Sequence, residues 1–168
     1  MDYFELFEIP VSLKVDISGL AQKYFALQKK YHPDYHSQES DVQQAEILQK
    51  AAAINKAFKT FKNPDETIKY VLKQKGLLEE EEKYQLPPDF LMEMMELNEQ
   101  LADASLDGSG NLPLIKAGIE NVENEIYLPV QSIIENYKEG ITSTEELLKV
   151  KEYYYKKKYL NRLKEQLK

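Results

Sequence analysis

The sequence predicts an all-α protein made of two helical units. Three observations carry this. Apolar residues recur at helical spacing in one segment after another along the 168 residues, and no stretch alternates as a strand would. A run of like charge, Glu79 to Glu82, followed by Pro87-Pro88, separates the first group of helical segments from the second. The charge changes sign along the chain. Residues 1–75 carry 11 lysines against 10 carboxylates, residues 76–150 carry 4 against 17, and residues 151–168 carry 7 Lys or Arg against 2, so the net values are +1, −13 and +5.

Taken in order, Tyr3, Phe4, Leu6 and Phe7 form an aromatic cluster too short to stand as a helix without packing on something else. Asp16 or Ser18 caps the next helix, where Leu20, Tyr24, Leu27 and Tyr31 make one apolar stripe. Lys23 and Lys30 share a flank of that stripe, and Lys29 points nearly opposite it. Pro33 disfavours helical geometry at His32 and ends the helix. After a polar loop over 36–41, a second long helix starts near Asp41. Its expected seam is Ala45, Leu48, Ala52, Asn55 and Phe58, broadened by Ile47, Ala51, Ile54 and Phe61. Its alanines permit close approach to the preceding helix, so the two form an antiparallel hairpin. Asn63-Pro64-Asp65 breaks it, and a shorter helix follows, stopping at Gly76. Residues 77–89 read as a solvated connector.

The second unit opens with a helix from Asp89 to about Ala104, then a turn over 105–111 containing Gly108 and Gly110. The following helix carries Ile115, Ile119, Val122, Ile126, Val130, Ile133 and Tyr137 as a seam for a bundle. Pro129 bends it and Gly140 ends it. Thr142 or Ser143 starts the last helix, whose apolar residues drift around its axis and define no single buried face.

Composition narrows the function. With no cysteine there is no disulfide, thiolate metal site or cysteine nucleophile. The acidic middle disfavours nucleic acid, because phosphate neutralisation needs a basic face. No apolar run approaches the ~20 residues of a membrane span, and Met1-Asp2-Tyr3-Phe4 does not open like a signal peptide. The expectation is a cytoplasmic protein with no membrane and no nucleic-acid partner.

Both histidines fall in Tyr31-His32-Pro33-Asp34-Tyr35-His36. Local chemistry leaves three readings open. His32, Asp34 and His36 could hold a metal, although no further His or Cys completes a zinc site. His32 and Asp34 could act as base and orienting carboxylate, although no serine, glycine-rich or phosphate-cradling motif lies nearby. Or Asp34 satisfies backbone donors in a plain turn that the proline stiffens.

The flanks supply more. A striped helix ending in Tyr31-His32-Pro33-Asp34, a polar loop, and an Ala-rich antiparallel helix with Ile54-Asn55-Lys56-Ala57-Phe58 resembles the J-domain over residues 1–75. The resemblance implies no enzyme and no metal or cofactor. It implies a co-chaperone whose His32, Pro33 and Asp34 press on a heat-shock seventy-class chaperone (HscA or DnaK type) and stimulate its ATPase. Lys23, Lys29 and Lys30 would meet an acidic surface of that chaperone. Many J-domains place a basic residue after this motif, whereas this chain has Tyr35-His36.

The whole plan is similar to the HscB-type co-chaperones of iron–sulfur cluster assembly. Phe4-Glu5-Leu6-Phe7, Phe90-Leu91-Met92-Glu93 with Glu96-Leu97, and Tyr159-Leu160-Asn161-Arg162-Leu163 carry that likeness. It implies a J-domain over 1–75, a linker over 76–88 and a C-terminal three-helix bundle over 89–168 that binds the iron–sulfur scaffold protein (IscU type). Without a targeting segment or the cysteine-rich N-terminal extension of some eukaryotic relatives, the expected source is bacterial. Phe90, Met94, Leu97 and Leu101 form the core stripe of the helix at 89–104. Leu91, Met92 and Met95 lie outside the stripe beside Glu96, Glu99 and Asp103, a second face both apolar and acidic. That face either meets the scaffold or packs on the J-domain or connector. Tyr159 matches an aromatic scaffold contact on the last helix. A J-domain protein delivering a different client is the alternative.

Overall fold

The structure, a computed structural model, describes residues 1–107 and 111–167. Of the turn expected over 105–111, residues 105–107 are helical instead, and 108–110 lie outside the described residues. Among those residues the chain is helical, with no strand. It divides into two compact units, Met1–Val71 and Leu72–Lys168.

The first unit is an antiparallel hairpin with short flanking helices. Helix α1 is Tyr3–Leu6, closed by a capping box in which Asp2 accepts from the Glu5 N–H. Helix α2 is Ile17–Lys30, capped by Asp16 through the Ser18 N–H at 3.1 Å. Helix α3 is Asp41–Lys62, capped by Ser40 and Gln43. Tyr24 stacks on Phe58 with ring centroids 3.9 Å apart, and the Lys50 ammonium lies over Tyr31, so the pairing runs in opposite directions. Helix α4, Pro64–Gln74, takes its cap from Asn63, whose side chain accepts from the Asp65 N–H at 3.0 Å. Phe4 and Phe7 of the short first segment bury against Phe61, which holds a helix of four residues in place. Thr67 is the buried polar side chain here, and its hydroxyl donates to the Thr60 and Asn63 carbonyls.

The buried side of α3 differs from the expected seam. Ile54, Ala57 and Phe61 are buried, while Ala45, Leu48, Ala52 and Asn55 are exposed. The flank expected to broaden the face is its centre. Both stripes have helical period, and the larger side chains at 54 and 61 bury more area than alanine and asparagine can.

The second unit is a three-helix bundle of α5 (Pro88–Asp107), α6 (Leu112–Tyr127) and α8 (Thr144–Glu165), each packed on the other two. Phe90, Met94, Leu97, Leu101 and Ala104 of α5 meet Ile115, Ile119 and Val122 of α6 and Leu160 and Leu163 of α8. Pro129 does more than bend the middle helix. A 3-10 turn at Leu128–Val130 interrupts it, and the short α7 (Gln131–Glu135) resumes. Val130 and Tyr137 of the expected seam are buried, but between them Ile134 is buried in place of Ile133, which is half-buried, because the break shifts the register of the short helix by one residue. Helix α7 ends five residues before Gly140, whose φ of +79° serves the following turn.

Residues 77–87 are not a solvated connector. Gly76, at φ +72°, closes α4 with the Leu77 N–H bonded to the Leu72 carbonyl at 2.9 Å. The chain then lies along the bundle as a strap. Leu78 is buried, Leu86 packs on the bundle core, Glu82 pairs with Lys151 at 2.6 Å, and Tyr84 stacks on Tyr155 with centroids 4.6 Å apart. Lys75 pairs with Glu139.

Candidate functional site

Helix α2 delivers the first site. Its last residues, Lys29 and Lys30, carry positive charge where the final carbonyls of a helix favour it. His32 leaves helical geometry, and a 3-10 turn over Pro33–His36 follows. The His32 Nδ1 accepts from the Asp34 N–H at 3.2 Å, which leaves Nε2 as the ring's outward donor. The Asp34 carboxylate lies 3.7 Å from the same nitrogen. The side chains of His32 and Asp34 are 54% and 87% exposed, so the turn presents a donor and a carboxylate to solvent. Among the described residues these two bond only within the turn. Phe25, Gln28 and Tyr31 of α2 and Ala51, Ile54 and Asn55 of α3 line a depression of about 750 Å³ beside it.

The three predicted lysines do not sit alike. Lys29 lines the depression. The Lys30 ammonium lies over the Tyr31 ring at 5.3 Å, opposite in sequence to Lys50, which reaches that ring from α3 at 5.1 Å. Lys23 donates to the Phe7 and Glu8 carbonyls at 3.4 and 3.3 Å, so it braces the turn after α1, where Glu8 has φ +53°. Phe25 and Lys50, absent from the sequence-based set, belong to this surface. The signal for Phe25 was an aromatic residue off the apolar stripe of α2. Among the described residues no group of three or more His, Asp or Glu is placed to hold a metal.

The second site is on α5. Phe90, Met94, Leu97 and Leu101 are buried as the periodicity required. Leu91, Met92 and Met95 are 37%, 70% and 60% exposed, so within this unit they do not fill a second core. Glu96, Glu99 and Asp103 are exposed beside them. At 100° per residue the six span an arc of about 140°, clear of the core stripe. Met95 and Glu99 line a groove with Asn98, Ala102 and Ser105 that Gln166 closes from the end of α8. Tyr159 is half-buried. Its ring meets Phe90 edge-on at 6.3 Å, which brings it to the first turns of α5 and into the margin of the core. Asn98, Ala102 and Ser105 escaped the sequence reading because small or polar residues carry no strong periodic signal.

Residues 86–168 match the family model described as the HSCB C-terminal oligomerisation domain. The chain is 36% identical over 135 residues to a co-chaperone protein HscB homolog of Colwellia psychrerythraea, covering 80% of this chain and 76% of that one. It is 34% identical over 149 residues to the homolog of Photobacterium profundum, covering 88% and 80%. Its fold superposes on chaperone HscB from Vibrio cholerae with a TM-score of 0.77 at 29% identity, covering 99% of this chain and 95% of that one. Human co-chaperone protein HscB gives 0.82 at 28% identity, covering 99% and 80%.

Proposed function

This chain belongs to the HscB family of co-chaperones, and from that premise we propose that it is a two-sided adaptor with no catalysis of its own. The α5 face holds an iron–sulfur scaffold protein. The His32–Pro33–Asp34 turn engages a heat-shock seventy-class chaperone and stimulates its ATPase. The observation that carries this reading is the turn itself. It is an exposed, proline-stiffened loop that offers one donor and one carboxylate next to a lysine-bearing helix end, with its own polar groups paired only internally. Such a surface suits pressing on another protein. It lacks the further groups that acid–base chemistry on a small substrate needs.

Lys29 and Lys30 steer the encounter, and steering of this kind weakens as salt rises. Exposed methionine and leucine among carboxylates on α5 form an adaptable contact for the scaffold. Binding both partners raises the effective concentration of scaffold at the chaperone without any new contact. The proposed place of this adaptor is the cytoplasm; among the described residues no helix is long and apolar enough to cross a membrane.

The test is His32→Gln. Because His32 is exposed, thermal stability should stay within about 0.5 kcal/mol. ATPase stimulation should be abolished while scaffold binding, followed by calorimetry, is unchanged. Full stimulation by the variant would sink the proposed mechanism. A pull-down that recovers another client and no scaffold would favour a J-domain protein with different cargo.

A further inference from the structure

The turn at Pro33–His36 is held at its two ends, because His32 and Asp34 bond only within it among the described residues. At the first end the Tyr31 N–H reaches the Leu27 carbonyl at 3.1 Å. At the second end stands His36. Its Nε2 lies 2.9 Å from the Lys30 carbonyl, one of the last carbonyls of α2, which have no partner inside their own helix. Its Nδ1 lies 2.9 Å from a Glu39 carboxylate oxygen. Glu39 is itself bound into the loop. Its N–H donates to the His36 carbonyl at 3.1 Å, and the Gln44 amide of α3 donates to the Ser37 and Glu39 carbonyls at 3.1 and 2.9 Å. A line of bonds thus runs from the end of α2 through His36 and Glu39 to the start of α3.

We propose that His36 is a positioning residue for the His32–Pro33–Asp34 turn, fastening it to the end of α2 fully only when both ring nitrogens carry protons. A carbonyl and a carboxylate can only accept, so each of the two bonds needs a donor on the ring. The neutral ring has one N–H. Whichever tautomer forms, one nitrogen then turns a lone pair toward an oxygen and one bond is lost. The consequence for a chaperone partner rests on the function proposed above, whereas the fastening stands independently of it.

The charged and titratable side chains at this end of the hairpin are Lys29 and Lys30 on α2, Tyr31, His32, Asp34 and Tyr35 in and beside the turn, Glu39 in the loop, and Asp41, Glu46 and Lys50 on α3. Glu39 is the one bonded to the ring, and Lys30 faces it with its carbonyl while its ammonium covers Tyr31. The Glu39 bond first, and the Lys30 carbonyl second, hold the His36 pKa above the ordinary histidine value. The fastening is therefore complete below that ordinary value. One of its two bonds is lost as pH rises through the elevated pKa of the folded state.

Ring nitrogen shifts of both histidines, followed by NMR in the full chain, test this directly. The expected result is a His36 midpoint above the ordinary value, sensed by the Tyr35 and Ser37 amides, and lowered by Glu39→Gln without moving the His32 midpoint. A His36 midpoint at or below the ordinary value, or amides blind to it, overturns the proposal. The second arm measures stimulation of the heat-shock seventy-class chaperone of the same cell. Below the His36 midpoint found by NMR, His36→Gln should need about threefold more protein than wild type for half-maximal stimulation, the scale expected of an exposed charged contact, and above that midpoint the two should converge. Equal curves at both pH values, or a constant offset, would refute pH-dependent positioning. Wild type that stimulates at neither pH would overturn the proposed function, and the NMR arm would still decide the role of His36.

Discussion

Met94 and Met95 are neighbours on α5 with opposite surroundings, 0% and 60% exposed. Truncating each to alanine separates the core of the bundle from its proposed binding face. Met94 sits between Phe90, Leu97 and Leu101 of its own helix and the Ile115–Ile119–Val122 stripe of α6. Met94→Ala removes a fully buried side chain and leaves a cavity, which costs about 2–5 kcal/mol. For a chain of this size that lowers the melting temperature by roughly 2–4 °C per kcal/mol. Met95→Ala removes a mostly solvated side chain and should cost less than about 0.5 kcal/mol. Binding should rank the other way. Met95→Ala combined with Leu91→Ala should weaken scaffold binding by at least about tenfold, the scale of a contact worth about 1.4 kcal/mol. Thermal unfolding by circular dichroism and calorimetric titration with the scaffold measure the two effects on the same samples. If the outer pair costs as much stability as Met94, the outer face is packed. If it costs neither stability nor affinity, α5 is not the binding face.

Ala57 is buried on α3 and Ala52 is exposed, so Ala57→Leu should overpack and cost about 1–3 kcal/mol, while Ala52→Leu should change stability by less than about 0.5 kcal/mol; a melting curve for each decides which stripe faces the hairpin. The Lys151 ammonium holds the Glu82 carboxyl below its ordinary value, and the pair is largely shielded from solvent. Lys151→Ala should therefore cost about 1–2 kcal/mol near neutral pH, since it also removes the cation from the Tyr84 ring. The sign follows from the depressed pKa. The ion-pair contribution is present above the ordinary carboxylate value and disappears as pH falls through the folded one, so in strong acid the gap between wild type and variant should narrow to the part that comes from the Tyr84 ring. Tyr84→Ala strips the ring stacked on Tyr155 and should cost about 2 kcal/mol by urea unfolding, with no effect on the His32–Pro33–Asp34 turn as read by its amide shifts.

Which of these features could be read from the residues follows from how each is held. The two faces of α5 were legible because a four-residue stripe of large apolar side chains has one helical solution, and burial of Phe90, Met94, Leu97 and Leu101 forces Leu91, Met92 and Met95 outward. The exposed turn was legible as a motif, because proline after histidine ends α2 wherever it stands. The task of His36 was not. Its partners are a backbone carbonyl and a glutamate three residues on, and a carbonyl leaves no trace in a sequence. The face of α3 was ambiguous because Leu48 and Ala52 repeat at the same period as Ile54 and Phe61, and period alone does not choose between two stripes. Helix α8 shows a different limit. Its apolar residues drift around the axis, and Tyr153, Tyr154 and Tyr155 are all buried in succession, which no helix with one covered face allows. The bundle covers one side, Tyr127 meets Tyr153, and Tyr84 of the strap stacks on Tyr155. The drift is thus the sequence signature of a helix enclosed from several directions. Of the acidic run at 79–82, Glu79 to Glu81 are exposed, and Glu82 belongs to that enclosure because it answers the Lys151 of α8. One residue of a charge run that reads as a solvated spacer is here half of a contact whose other half lies about seventy residues away along the chain, where pattern reading from local windows does not reach.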